Sequence, residues 1–403
     1  MLDLKDHNGK IDIKSMTPEE LEAFLKELGE KPFRAKQIYD WLHVKLAERF
    51  EEMTSISKEL QRKLDAACSL TCLRVVDEKI STIDGTRKYL FALADGNIIE
   101  SVWMQYHHGN SVCISSQAGC RMGCRFCAST LDGLARNLRP SEMLDQIYRI
   151  QRITGERVSN VVVMGSGEPM DNYDNLVRFI RLISHEKGLN ISQRNLTVST
   201  CGLVPEIRRL AEEGFQITLA LSLHAPDDEV RKTLMPIANR YCLKDVLAAC
   251  RYYYQQTGRR LTFEYSLVHG VNDNLREAAA LSKLIRHEHG HVNLIPVNPI
   301  KERDFVQSGQ KEIQDFKNLL EKNGINVTKM CIRDRHLPDP RHHRQRKDRG
   351  LYGVNRPCAG SGAAGDRADP GDFPDLADGD AFLPPVRGSG FGDELQIIRR
   401  GAL

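Results

Sequence analysis

Residues 112–129 read VCISSQAGCRMGCRFCAS, a short apolar segment followed by three cysteines close together. Cys120, Cys124 and Cys127 are too many for one disulfide and one too few for a closed tetrahedral zinc site. Thiolates are soft ligands that suit zinc or iron–sulfur clusters. Three cysteines on a four-iron cluster leave one iron open to a substrate or cofactor. The spacing therefore favours a [4Fe–4S] cluster, with a zinc site and incidental thiols as the alternatives.

The bulk composition is that of an ordinary globular protein. The chain has 403 residues, of which 41% are hydrophobic and 28% charged, so one large domain or two to three smaller ones are expected. The sequence contains no apolar run of the ~18–20 residues that a membrane span needs, and its polar start, MLDLKDHNGKID, is not a secretory signal. We therefore expect a cytoplasmic protein without a membrane partner. In the reducing cytosol the 11 cysteines are expected to be free thiols, metal ligands or catalytic groups. The net charge of +3 is too small to indicate nucleic acid by itself.

From about residue 111 onward, short apolar segments alternate with helical patterns. The predicted strands are 111–115, 160–165, 195–200, 216–223, 261–268 and 291–297. The predicted helices between and after them are 141–154, 173–186, 203–214, 241–257 and 274–287. Six βα units in order predict an α/β fold with a parallel sheet, either open or curled into a partial barrel. Ligand sites in such folds lie at the carboxyl ends of the strands.

The first hundred residues follow a different pattern, with helices preceding strands. Helical periodicity covers 17–29, 32–50 and 58–68, and two strand candidates, 86–93 and 97–106, flank a turn at Asp95 and Gly96. These features predict a helical module and a β-hairpin before the core. The predicted divisions are a helical module (1–72), a hairpin connector (73–106), a βα core (107–328) and a tail (329–403).

Several polar or glycine-rich segments end the predicted strands. The residues concerned are Gly167 and Glu168 in GSGEP, Ser199 in STCG, Ser222, Leu223 and His224 in LSLHAP, and Asn298 in LIPVNP. Each has an ordinary alternative explanation, such as a tight turn, a helix cap or a hydrogen-bonded core histidine. Their common position at one end of the sheet favours a binding site instead.

These motifs, together with the cysteine segment and KPFRAKQIYDWL at 31–42, resemble the RlmN family of dual-specificity rRNA and tRNA adenine-C2 methyltransferases, within the radical S-adenosylmethionine (SAM) superfamily. The resemblance covers about residues 15–328. It implies a partial six-unit barrel of radical SAM type, a [4Fe–4S] cluster held by the three cysteines, and SAM on the open iron. It also implies a SAM pocket formed by Gly167, Glu168, Ser199, Ser222, Leu223, His224 and Asn298.

The same resemblance implies the partners and the chemistry. In the family the helical module helps to bind RNA, the substrates are the peptidyl-transferase-centre adenine of 23S rRNA and an adenine of tRNA, and a donor such as flavodoxin supplies the electron. We expect a monomer. Carbon 2 of adenine is electron-poor, so the family methylates a C-terminal cysteine with one SAM and uses a second SAM to turn that methyl group into a radical that adds to the ring. A base then removes the C2 proton, and a second cysteine releases the RNA by forming a disulfide.

Those last two roles map onto Glu100 and Cys113. In NIIESVW, alternation places Glu100 on the same strand face as Ile98 and Val102. A carboxylate among apolar neighbours needs a partner or a function, and such surroundings would raise its pKa, as suits a general base. A paired or edge-exposed glutamate is the alternative, and Cys113 could be a small buried residue of its strand.

The tail departs from the family. The methyl-carrying cysteine is expected near position 341, where Arg341 stands; Cys331 comes too early, and Cys358 lacks the flanking pattern. Residues 336–403 hold 11 of the 30 glycines and 7 of the 16 prolines and show no regular period. We therefore expect residues 329–403 to be a non-family tail, disordered or chimeric. The hypothesis that follows is a chain that cleaves SAM but does not methylate RNA.

Three rival functions are considered. The first is the related resistance family that methylates carbon 8 of the same rRNA adenine, which product analysis distinguishes. The second is a non-catalytic RNA-binding protein, which would carry no cluster. The third is a radical SAM enzyme for a small molecule, against which the basic residues Arg34, Lys36 and Lys45 argue, although such a helix is often only a solvated face.

Overall fold

A computed structural model of the chain describes residues 4–6, 9–107 and 109–329. The predicted tail, with Cys331, Arg341 and Cys358, lies outside the described residues apart from Lys329. Within the described ranges, no helix has both the length and the apolar character needed to cross a bilayer.

The N-terminal part is a small helical unit with its own core. It contains β1 (Ile11–Asp12), α1 (Pro18–Glu27), α2 (Phe33–His43), α3 (Lys58–Ala67) and β2 (Cys68–Ser69). The Thr17 hydroxyl and the Glu20 carboxylate form the capping box that starts α1, as the sequence indicates. The second helix ends well before the predicted residue 50, because the chain leaves helical geometry at Leu46, whose φ is +57°.

The connector is an antiparallel unit that continues the main sheet. Its strands are β3 (Arg74–Ile80), β4 (Arg87–Ala92) and β5 (Ile98–Met104). The predicted hairpin is present as β4 and β5, and β3 adds a third strand that was not predicted. Since β5 pairs with the first strand of the core, the connector and the core share one ten-stranded sheet.

The core alternates strands and helices as predicted. Its elements are β6 (Asn110–Cys113), β7 (Gln117–Gly119), β8 (Leu134–Asn137), α4 (Pro140–Thr154), β9 (Val158–Val163), α5 (Tyr173–Ile183), β10 (Leu196–Thr200), α6 (Val204–Glu212), β11 (Thr218–Ser222), α7 (Asp228–Leu234), α8 (Leu243–Thr257), β12 (Leu261–Leu267), α9 (Leu275–Ile285), β13 (Gly290–Pro296), α10 (Gln310–Lys322) and β14 (Val327–Lys329). The six predicted strands are all present, and β14 adds a seventh parallel strand.

The parallel strands lie side by side in their order along the chain, from β6 through β9 to β14. A sequential order keeps the crossover helices on one side of the sheet, because every right-handed crossover then runs in the same direction. The sheet ends at β3 and β14 rather than closing. This is the partial barrel of radical SAM type that the sequence predicts.

The strand register separates an apolar face from a small and polar face. Val112, Val161, Val198 and Leu221 are fully buried and belong to one core with the apolar residues of the helices. The residues between them on each strand point to the opposite face, because strand side chains alternate. That opposite face carries Cys113, Ser199 and Ser222.

The helical unit is joined to the core through buried charges. Lys14 lies 2.6 Å from the Asp145 carboxylate on α4, and both side chains are almost fully buried. Asp12 accepts a 2.6 Å hydrogen bond from the Ser141 hydroxyl. A buried, paired contact of this kind is sensitive to loss of either partner.

Candidate functional site

The three predicted cluster cysteines lie on one loop that a two-stranded ribbon closes. Strands β7 and β8 pair in antiparallel fashion on either side of the loop. The Cys120 amide donates to the Gly133 carbonyl at 2.9 Å, and the Thr130 hydroxyl donates to the Cys124 carbonyl at 3.0 Å. Gly119 has φ +76°, and a Cβ there would lie 2.1 Å from the Gly133 carbonyl oxygen, so only glycine fits.

The thiols of this loop sit in a sheltered environment. Cys120 is buried, and Cys124 and Cys127 are half-buried. Burial raises the pKa of Cys120 to about 12, and the Cys127 thiol contributes in the same direction. Burial also raises the pKa of Cys124, followed by the effects of Cys127 and Cys120. Thiols with raised pKa values need a cationic group to hold them as thiolates.

Among the described residues, no group of three or more His, Cys, Asp or Glu side chains converges on a single metal ion. A [4Fe–4S] cluster does not need such convergence, because each of its thiolates binds a different iron. Three soft donors on one closed loop fit that cluster by their chemistry.

Glu168 is the buried carboxylate of the predicted SAM pocket. Its oxygens accept the amide hydrogens of Cys201 at 2.7 Å and Met170 at 3.1 Å, and its own amide donates to Gln117 at 2.8 Å. Burial raises the pKa of Glu168, and the two amide donors oppose that shift. Gly167 has φ +109° and packs directly against the backbone of Gln117. A Cβ at position 167 would lie 2.8 Å from the Gln117 nitrogen.

Ser199, Ser222 and His224 lie at the ends of two neighbouring strands. The hydroxyl oxygens of Ser199 on β10 and Ser222 on β11 are 3.4 Å apart. His224 has φ +56°, and its Nδ1 accepts the Ser266 amide hydrogen at 2.9 Å. Burial lowers the pKa of His224 to about 3, so the ring is neutral with its hydrogen on Nε2. Its edge meets the ring of Phe126 in the cysteine loop, with 4.8 Å between ring centroids.

The remaining two predicted pocket residues, Leu223 and Asn298, differ in their burial. Leu223 is fully buried between Ser222 and His224. Asn298 follows the end of β13, at the predicted carboxyl edge, but it is exposed. The structure therefore gathers Gly167, Glu168 and the residues on β10 and β11 beside the cysteine loop and leaves Asn298 on the surface.

Glu100 and Cys113 share the polar face of the sheet. Cys113 on β6 pairs in register with Val102 on β5, and Glu100 lies two residues before Val102 on the same face. Glu100 forms an ion pair with Lys88, 3.1 Å away on β4. Burial raises the pKa of Cys113 to about 12, and the Glu100 carboxylate contributes to the shift.

Two features of the site have no clear signal in the sequence. Lys88 comes from a neighbouring strand and is selected only by the antiparallel register. Arg231 on α7 is fully buried, although it stands in the charged segment DEVRKTL. Its guanidinium donates to the carbonyls of Cys201 at 2.7 Å and Leu223 at 3.2 Å, and so bridges the ends of β10 and β11.

Comparisons with known proteins agree with this geometry. Residues 114–281 match the model of the radical SAM superfamily, and residues 11–70 match that of the ribosomal RNA large subunit methyltransferase N-terminal domain. The chain is 67% identical to the probable dual-specificity RNA methyltransferase RlmN of Lachnoclostridium phytofermentans, over 79% of this chain and 90% of that protein. The chain belongs to the RlmN family. The corresponding protein of Clostridium perfringens is 54% identical over 79% of this chain and 91% of its own length.

A solved structure supports the same family. The radical SAM methyltransferase from Sphaerobacter thermophilus is 43% identical, with a TM-score of 0.76, covering 79% of this chain and 94% of that one. The predicted family and fold are thereby confirmed, and the C8-specific alternative is not favoured. Membership of this superfamily implies the [4Fe–4S] cluster that the cysteine spacing predicted and the SAM that the family resemblance predicted.

Described cysteines are free thiols throughout, including Cys113. The disulfide that the resemblance implies for this residue is not seen, and its other partner would lie in the C-terminal segment outside the described residues.

Proposed function

We propose that this chain carries the machinery to methylate carbon 2 of an adenine in 23S rRNA and in tRNA. The observation that carries the proposal is the shared face: Glu100 and Cys113 lie on the side of the sheet where Ser199 and Ser222 also point. A base and a thiol beside a cofactor pocket are two of the three side-chain groups that the family's covalent mechanism needs beyond the cluster and SAM. The third is the methyl-carrying cysteine of the family C-terminal segment.

In this proposal Cys120, Cys124 and Cys127 hold the cluster, and Gly167, Glu168, Ser199, Ser222, Leu223, His224 and Asn298 form the SAM pocket. When bound, the cluster and SAM supply one-electron chemistry that produces a carbon radical. Glu168 is suited to the SAM ammonium group, because its carboxylate is held by two backbone amides in a buried position. The neutral His224 can donate only from Nε2, since Nδ1 is already occupied.

Glu100 would act as the base that removes the C2 proton. The Lys88 ammonium lies 3.1 Å from its carboxylate, and the ionised carboxylate is the form able to accept a proton. Cys113 would then form the disulfide with the methyl-carrying cysteine and release the RNA. Because the raised pKa of about 12 keeps the Cys113 thiol protonated at neutral pH, it must lose its proton as it reacts.

The helical unit is proposed to contact RNA through one face of α2. Phe33 is 53% exposed, and the Arg34 guanidinium lies 4.9 Å from the centre of its ring. Just beyond the end of α2, the Lys45 ammonium lies 4.2 Å from the centre of the half-buried Trp41 ring and 2.9 Å from the Asp40 carboxylate. An exposed aromatic ring beside a cation can stack on an unpaired base while the cation neutralises a phosphate.

An anaerobic reconstitution tests the proposal. The chain is loaded with iron, sulfide and SAM and incubated with a 23S rRNA fragment or tRNA, with a reduced flavodoxin as the electron donor. We expect 5′-deoxyadenosine and methionine from the chain as printed. Methylated adenine, assigned to C2 or C8 by mass spectrometry, should require replacement of residues 329–403 by the family C-terminal segment. A C8 product, or no SAM cleavage by a loaded cluster, would contradict the proposal.

The remaining assignments concern the state and location of the protein. We propose a cytoplasmic monomer that receives its electron from a flavodoxin-type carrier. Light scattering of the loaded protein tests the oligomeric state, and a dimer would contradict it.

A further inference from the structure

Arg231 is the largest side chain that the described fold buries completely, and its charge is incompletely matched. Its Nη2 donates to the carbonyls of Cys201 at 2.7 Å and Ser222 at 3.3 Å, and its Nε donates to Leu223 at 3.2 Å. Its Nη1 is buried and has no hydrogen-bond partner among the described residues. One end of a buried guanidinium is therefore left with unused donors.

The hydrogen bonds of this guanidinium within the described residues all go to uncharged carbonyls. A buried charge whose hydrogen bonds reach only uncharged groups destabilises the fold. A buried cation at such a position is tolerated when an anion completes its surroundings. An anionic group next to Nη1 would supply the partner that this end of the guanidinium lacks.

The helix that carries Arg231 is also fixed to the cysteine loop. The carbonyl of Leu234, the last residue of α7, accepts the Arg125 amide hydrogen at 2.8 Å. Pro236 packs on the same loop, since a Cβ on Gly123 would lie 3.4 Å from its ring. Burial lowers the pKa of Arg231, and the sulfurs of Cys201 and Cys124 are the first groups that oppose the shift. These contacts hold the helix of Arg231 against the loop that carries the predicted cluster ligands.

We propose that Arg231 is the buried counter-charge of the [4Fe–4S] cluster on its Cys124 side, acting as a positioning residue that makes the cluster easier to reduce. This inference rests on the proposed function, because it needs the cluster on Cys120, Cys124 and Cys127. One-electron reduction adds one negative charge to the cluster and forms or breaks no bond. A fixed buried cation stabilises the reduced form more than the oxidised form, and net charge is among the factors that set the potential.

The experiment compares variants of the full chain reconstituted anaerobically with iron and sulfide. Arg231→Gln keeps a donor for the carbonyls without the charge, Arg231→Met removes both, and Arg231→Lys keeps the charge. Lys232→Met is the matched control, because it removes one charge from the same helix at an exposed ion pair with Glu229. The cluster is titrated with dithionite without SAM, and the reduced form is followed by electron paramagnetic resonance.

We expect a lower midpoint potential for both neutral variants, a potential near the wild-type value for Arg231→Lys, and no shift for Lys232→Met because water and salt screen an exposed charge. The same role would be supported if both neutral variants lost the cluster while Arg231→Lys kept it. The circular dichroism of all variants should then be unchanged, which shows that the fold is intact. Equal potentials for wild-type, Gln and Met chains would overturn it.

Two further outcomes separate the alternatives. An unchanged potential combined with weaker SAM binding in equilibrium dialysis would assign Arg231 to the SAM carboxylate and overturn the proposal. Unfolding of all three variants, Lys included, would assign a purely structural role and would also overturn it. If the wild-type chain binds no cluster, the proposed function itself fails. If the cluster binds and its midpoint potential does not depend on residue 231, only the proposal about Arg231 fails.

Discussion

Replacing Gly167 with alanine should weaken SAM binding about 10- to 150-fold, by displacing Glu168. Gly167 has φ +109°, a conformation that side-chain-bearing residues rarely adopt. An added Cβ would lie 2.6 Å from the Gln117 Cβ and 2.8 Å from both the Gln117 nitrogen and the Ser116 hydroxyl oxygen. Those distances are too short for contacts of a carbon atom. The Gln117 nitrogen is a backbone atom and the Gln117 Cβ is bonded to the backbone, so neither can move aside easily, and residues 167 and 168 must move instead.

The magnitude follows from what Glu168 would lose. Its amide donates to Gln117 at 2.8 Å, on the same side chain that the new methyl group would push away. The Glu168 carboxylate is proposed to accept the SAM ammonium group, and a hydrogen bond to a charged group contributes about 1.5–3 kcal/mol. Losing that bond corresponds to about a 10- to 150-fold change in affinity. Backbone strain of about 1–3 kcal/mol would also lower the melting temperature.

The assay is calorimetric titration of SAM into the anaerobically reconstituted chain, with thermal unfolding measured on the same samples. Gly155→Ala is the control, because Gly155 also has a positive φ, +69°, but a Cβ there meets no atom within 4 Å. That variant should lose about 1–2 kcal/mol of stability and keep its SAM affinity. A dissociation constant for Gly167→Ala within about twofold of the wild-type value would refute the crowding argument. Equal weakening in Gly155→Ala would show that general destabilisation explains the effect.

Three other perturbations follow from the contacts. Lys14→Met should lower the free energy of unfolding by about 3–5 kcal/mol, because it leaves the buried Asp145 carboxylate without its cation. Denaturant titration measures this change. The double variant Lys14→Met/Asp145→Asn should recover part of the loss, and no recovery would speak against the ion pair. Glu100→Gln is made in a chain with the family C-terminal segment restored. This variant should still cleave SAM, but its RNA should stay covalently attached, as seen on a denaturing gel. Normal turnover would exclude Glu100 as the base. The same substitution should speed alkylation of Cys113 at pH 8, because the carboxylate helps to raise that thiol's pKa to about 12 and so lowers its thiolate fraction; an unchanged rate would contradict the coupling. Phe33→Ala should weaken RNA binding about 10-fold at fixed salt while Phe33→Tyr retains it, and equal affinities in filter binding would exclude stacking on this ring.

Local patterns predicted most of the regular structure. The predicted strand 261–268 is β12 (Leu261–Leu267), and the predicted helix 241–257 is α8 (Leu243–Thr257). Elements without a strong period were missed. Strand β3 lies at the sheet edge with partly exposed residues throughout, and β7 and β8 are only three and four residues long. Such elements are formed by their pairing partners rather than by their own periodicity.

The candidate site was predicted in its residue types and less completely in its contacts. Alternation correctly placed Glu100 on the face of Ile98 and Val102, yet the expectation of a carboxylate among apolar neighbours missed Lys88. That partner is selected by the antiparallel register of β4 and β5, which a single sequence does not reveal. Asn298 lies at the predicted carboxyl edge of β13, and its side chain is exposed.

The sequence by itself determined the cysteine spacing, the order of βα units and the family, because these depend on residues that are neighbours along the chain. Only the tertiary structure decided that Glu100 and Cys113 share a face with Ser199 and Ser222, and that Arg231 is fully buried rather than solvated. Its segment, DEVRKTL, reads as a solvent-facing helix, since charges outnumber apolar residues. Burial and counter-charge arise from contacts between distant parts of the chain, and those contacts follow from strand register and helix packing rather than from local pattern.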